Sequence, residues 1–170
     1  MDPRVVRLER WNARCFLIVP CPFRVDLPLD MSGCIAAALH ETMHSGHRRL
    51  PGGLILASDR QPNAPSAARN GAIFVEIEPG NDPTLAWIEG DLLTRALAPT
   101  APRLRAEVDE LVRWSSELGH EVEGFYVGFS AGEGPRSFRA TRLLATLDGG
   151  PVVETFEIRA SRRSAMMNAL

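Results

Sequence analysis

Prolines constrain the longest apolar stretch of this chain more than any other feature. Residues 15–29, CFLIVPCPFRVDLPL, are apolar enough for a core element, yet Pro20, Pro22 and Pro28 forbid a helix there. They also argue against a central strand beyond Val19. With Arg24 and Asp26 they keep the run well short of the roughly 20 residues that a membrane-spanning helix needs. The opening MDPRVVRLERW lacks the apolar segment of a secretory signal, so no membrane association and no export are expected. The 170 residues are 45% hydrophobic and 24% charged, which excludes a disordered, collagen-like or rod-shaped chain. A single domain over 1–170 is expected, with flexible ends at about 1–10 and 161–170.

The remaining composition bounds function. A net charge of −2 argues against general nucleic-acid binding. All nineteen basic residues are arginine, a mark of high-GC coding rather than of chemistry. Three cysteines, Cys15, Cys21 and Cys34, stand at no metal-ligand spacing and predict reduced thiols and a cytoplasmic setting.

Patterning along the chain predicts an α+β fold. Residues 1–13 read as a short helix or arm. Asp30 and Ser32 are N-cap candidates for a helix over about 31–47, in which Met31, Ile35, Leu39 and Met43 recur every fourth residue. Pro51, Gly52 and Gly53 end it. Residues 54–57 and 72–78 read as strands, joined by a polar loop of the kind that often carries function. Asn81 or Asp82 before Pro83 starts a second helix running to about Ala98. A third spans about 103–118, with Leu104, Val108, Leu111, Val112 and Leu118 at helical spacing and Gly119 as its cap. The strands 124–131, 137–147 and 152–160 form a C-terminal three-strand meander. The fold expected is therefore an antiparallel sheet with that meander packed on two or three helices. No repeat with a period of 20 to 50 residues is visible.

One motif carries chemistry. His40-Glu41-Thr42-Met43-His44 spells H-E-x-x-H on a predicted helix. Spacing i, i+4 sets both imidazoles on one helical face, one turn apart, where they can share a cation. Glu41 can then take a proton from metal-bound water. The plain alternative is a solvated histidine cluster.

The segment 36–46 resembles the zincin metallopeptidases of the glutamate type, which are built on such a helix. That resemblance implies zinc bound by His40 and His44, with Glu41 as the catalytic general base. It also implies a third ligand from a following helix. Glu89 is the candidate, with Asp91 as runner-up. The metzincin subgroup is excluded, because Gly46 and His47 follow His44 at two and three residues instead of three and six.

Two functions follow as expectations. One is a zinc-dependent, peptidase-like hydrolase acting through His40, His44, Glu89 and Glu41. The other is a non-catalytic α+β association module: a structural or assembly subunit, an adaptor, or a phage or viral part. It would have a protein or peptide partner, or form a homo-oligomer. Arg136, Arg139, Arg142 and Arg159 suggest a basic stripe, most simply a solvated sheet face. Nineteen arginines against twenty-one acids leave little counterion release to drive binding to duplex DNA. Titration of random duplex at physiological salt should therefore show no sub-micromolar, salt-sensitive complex.

Overall fold

The computed structural model describes residues 6–21, 31–59, 71–98, 104–134 and 136–147. Its elements are β1 (Val6–Pro20), α1 (Ser32–His44), β2 (Ile55–Ser58), β3 (Ala72–Glu76), β4 (Ala86–Ala96), α2 (Leu104–Glu117), β5 (Val122–Ala131) and β6 (Phe138–Leu147). The six strands close into one antiparallel barrel in the order β1-β3-β2-β5-β6-β4, with β4 paired back to β1. This corrects the expected α+β sheet packed on helices. Among the described residues the molecule is mostly sheet, closed on itself, with two helices outside it.

The correction comes mainly from β4. Residues 86–96 form a strand where a helix is predicted. Its two faces are both buried. Ala86, Ile88 and Leu92 point into the barrel, while Leu93, and Leu97 just past the strand, point toward the helices. A strand covered on both sides loses the alternation that distinguishes it from a helix, and Leu and Ala then bias the reading toward helix. β1 likewise begins at Val6, inside the stretch expected as an arm or frayed end, and runs unbroken to Pro20. The expected strand 152–160 and the loop at 60–70 lie outside the described residues.

Two cores result. One draws on all six strands and neither helix: Trp11 and Phe16, Leu56, Phe74, Ile88 and Leu92, Tyr126 and Leu144. This is the barrel interior. The other lies between the outer wall and the helices and joins Ile35 and Ala38 of α1 and Leu104, Val108 and Leu111 of α2 to Val75, Val127, Phe129 and Leu143. Leu118 does not join it and is exposed.

The element order β-α-β-β occurs twice. Exchanging β1, β2 and β3 for β4, β5 and β6 reproduces every pairing: β1–β3 becomes β4–β6, β2–β3 becomes β5–β6, and β1–β4 and β2–β5 map onto themselves. The barrel is a pseudo-two-fold pair of βαββ units, the first beginning at Val6 and the second at Ala86.

Local chemistry sets the joints. α1 has Met31 at its N-cap without a side-chain cap. Instead Ser32 Oγ accepts from the backbone N–H of Phe138 at 3.1 Å, anchoring the helix start to β6. α1 ends at His44 with Ser45 as its C-cap, and Gly46 follows with a φ of 81° that suits glycine. Pro51-Gly52 makes a separate turn, closed by Gly53 N–H donating to Leu50 O at 2.9 Å. Arg95, nearly buried on β4, pairs with Glu107 at 3.1 Å and with Glu110, fixing α2 to the wall.

Cys21 and Cys34 form a disulfide between the end of β1 and the first turns of α1, with Cα atoms 6.4 Å apart. The expectation of three reduced thiols is corrected to one, the buried Cys15. A separation of 13 residues has no signature in sequence, and only the packing of α1 beside β1 brings the sulfurs together. Such cross-links are rare in a reducing cytosol. Closing a loop of this length is worth about 3 kcal/mol. Thiol titration of the unfolded, unreduced chain should count one cysteine, rising to three after reduction; a count of three before reduction would exclude the cross-link. Reduction should lower the unfolding free energy by about 3 kcal/mol.

Candidate functional site

The predicted site residues fall into two separate places. His40, Glu41 and His44 lie on the exposed face of α1, opposite the buried stripe Ile35, Ala38 and Thr42. The imidazoles stack with centroids 4.2 Å apart and planes inclined by 28°. Glu89 lies on β4, only 5% exposed, and not on a helix. Asp91, the runner-up, is held by Arg10, whose Nε donates to Oδ1 at 2.8 Å. That hydrogen bond is the main reason the Asp91 carboxyl sits below the ordinary carboxylate range, against the upward push of burial. No group of three or more His, Cys, Asp or Glu able to hold a metal ion occurs among the described residues. A catalytic zinc needs three protein ligands, so the donor set described here does not fit one.

A different cluster stands at the barrel's interior on the β1 side, and a β-bulge builds it. Between Trp11 and Arg14 the pairing with β4 shifts by one residue, from Trp11↔Gly90 to Arg14↔Ile88. In a regular strand, residues three apart face opposite ways. The extra residue turns Trp11 and Arg14 to the same side, and the Arg14 guanidinium lies over the Trp11 ring at 4.7 Å. Gly90, with φ 105°, supplies the backbone opposite the bulge.

From this stack a chain of charge-assisted contacts crosses the barrel. Arg14 Nη1 donates to Glu76 Oε1 at 3.2 Å, and Glu76 Oε2 also accepts from Leu54 N–H at 2.8 Å. Trp11 Nε1 donates to Glu9 Oε2 at 3.2 Å. Glu9 Oε1 accepts from Thr94 Oγ1 at 3.0 Å and from Arg142 Nη2 at 2.8 Å. Arg142 therefore turns inward and leaves the expected basic stripe. Gly128, its neighbour on β5, makes room: a Cβ there would stand 3.1 Å from Arg142 Cγ. Solvent reaches the cluster, for the side chains of Arg14, Glu9 and Arg142 are 39%, 33% and 33% exposed.

Glu9 has the clearest electrostatic signature. Burial pushes its carboxyl upward, but hydrogen bonds from Trp11 and Thr94 and the charges of Arg142 and Arg14 together pull it below the usual value of 4.5. Glu9 and Trp11 fall in the stretch 1–13 that reads as a short helix or arm, and Arg14 just beyond it carries no motif. A trace lay in the inward phase Glu9, Trp11, then Arg14, Phe16 and Ile18, two alternating runs offset by one residue.

Comparison with protein-family models and with curated proteins gives no match. Among solved structures, the chain is similar to the crystal structure of the EcmrR C-terminal domain, at 12% identity and a TM-score of 0.54. The similarity covers 89% of this chain and 98% of that one. It is a likeness of fold. Among the described residues no helix is long and apolar enough to cross a membrane.

The Glu9 carboxyl carries a signed pH dependence. A carboxyl held below its ordinary value stabilises the fold fully above that value, and the contribution is lost as pH falls through the folded-state pKa. Glu9→Gln should cost about 1 kcal/mol at neutral pH. Urea unfolding of both chains from pH 7 to pH 3 should show the gap closing at the acid end. A gap independent of pH would show that the charge of Glu9 is not what holds the cluster.

Proposed function

We propose that the domain is a non-catalytic binding module for small organic molecules, with the Trp11–Arg14–Glu76–Glu9 cluster as its site and planar cations as its ligands. The observation that carries this is the position of Arg14. The chain's own guanidinium lies on an aromatic face, pairs with Glu76, and remains open to solvent. A ligand with a flat cationic head that displaces Arg14 meets the same face and the same carboxylate. The barrel walls supply a rigid frame, and the bulge is the kind of irregularity that re-aims side chains beside a site. The likeness in fold to a domain from the C-terminal end of another protein agrees with a module that serves a larger assembly. The hydrolase reading retains His40, Glu41 and His44 but gains no third ligand among the described residues.

Arg14→Ala removes the internal competitor while leaving the carboxylates. Benzamidine, titrated while heteronuclear NMR follows the Trp11 indole N–H, should bind this variant at least ~10-fold more tightly than the native chain. Adding Glu76→Gln to Arg14→Ala should abolish the gain. Equal, weak binding to all three proteins would refute the site.

A further inference from the structure

Arg142 gives the barrel cluster a second internal cation, and it stands at a bulge of its own. The β5–β6 pairing passes from Gly128↔Arg142 to Phe129↔Ala140, so Thr141 is an extra residue on β6. Leu144 belongs to the barrel interior, while Leu143 and Ala140 face the outer core. Arg142 is therefore the last inward residue of its row before the bulge reverses the phase. Its Nη2 donates to Glu9 Oε1 at 2.8 Å, and both side chains are 33% exposed. The other Glu9 oxygen, Oε2, accepts from the N–H edge of Trp11, whose face carries Arg14. The indole thus has one guanidinium–carboxylate pair reached from its face, Arg14 with Glu76, and another at its edge, Arg142 with Glu9. Ion pairs so open to water add little to stability, so a cation from outside exchanges for either arginine at small cost. Gly128 leaves the Arg142 stem free of a neighbouring Cβ, which would stand 3.1 Å from its Cγ.

We propose that the site takes aromatic dications: one cationic group displaces Arg14 and pairs with Glu76, the ring stacks on Trp11, and a second displaces Arg142 and pairs with Glu9. This rests on the planar-cation reading above. It adds the ligand's second charge and names Glu9 as the residue that selects for it. The indole alone separates the two exchange positions, so a spacer of one benzene ring lying on its face spans them. Joining both cationic groups in one rigid ligand makes the second contact intramolecular, with no further loss of translational freedom. Charge balances as well. Once both guanidinium groups have swung into solvent, two carboxylates meet two positive charges and neither is left unpaired. A monocation leaves the Glu9–Arg142 pair in place and gains nothing from it.

The probes are 4-(aminomethyl)benzamidine and 4-ethylbenzamidine, which share a shape and differ by one positive charge. Each is titrated into the full chain while NMR follows the Trp11 indole N–H, which reports on the Glu9 edge directly. The native chain and Arg14→Ala should both bind the dication at least ~10-fold more tightly than the monocation. Glu9→Gln should bring that ratio below ~3-fold, and Arg142→Ala, which removes the competitor at Glu9, should raise it. The ratio compares two ligands on one protein, so a general loosening of the site by either substitution cancels. If Glu9→Gln does not fold, Arg142→Ala decides, and a ratio it leaves unchanged would overturn the proposal. Equal affinity for the two probes, with the monocation still bound through Glu76, would overturn the second subsite and leave the planar-cation reading standing. Failure of both probes to bind Arg14→Ala would overturn the two together.

Discussion

Pairing of β1 with β4 closes the barrel, and the rest of the structure depends on it. Val6 to Phe16 of β1 lie along Arg95 to Ala86 of β4, and every other strand is reached from one of these two or through its neighbour. Without that seam the sheet would keep two long exposed edges, a form that invites association between chains. With it, each inward side chain meets partners from the opposite wall. The seam also holds the one bulge that sets Trp11 and Arg14 side by side, so closure and site construction are the same event.

The interior is apolar over most of its volume and ionic at one place, and that division follows from geometry. Phe16, Phe74 and Tyr126 fill the middle through edge-to-face contacts, with centroid separations of 6.3 Å and 5.3 Å. Toward solvent the same inward rows carry Glu9, Arg14, Glu76 and Arg142. Glu9, Arg14 and Arg142 keep access to water, Glu76 is buried against Arg14, and each finds a partner, which avoids the cost of burying an isolated ion. A region that is rigid, polar and wetted is suited to recognition, whereas the packed middle is suited only to stability.

The helices contribute differently. α2 is fastened by Arg95 to Glu107 and Glu110, and by an apolar stripe with clear helical period. α1 is joined at its start by the Cys21–Cys34 bridge and by Ser32 to β6, while its far end carries exposed imidazoles. α1 is thus anchored at one end and presents two exposed imidazoles at the other, away from the barrel interior.

The helix at about 103–118 and the strands at 54–57, 72–78, 124–131 and 137–147 read within two residues of α2, β2, β3, β5 and β6, because each has a local period and local punctuation: Gly119 after α2, and a turn between β5 and β6. His40 and His44 on one helical face were equally legible, since i, i+4 geometry is internal to the helix. What tertiary structure decided is everything set by a partner distant along the chain. β4 is a strand because β1 and β6 pair with it; alone, its doubly apolar sequence suits a helix just as well. The inward turn of Arg142 and the Arg14–Trp11 stack need contacts spanning the closed ring or a one-residue shift of register, and the disulfide needs α1 packed beside the end of β1. Such a shift costs one bulged residue and leaves the local hydrophobic pattern nearly unchanged, so the site it creates becomes visible only once the strands are paired.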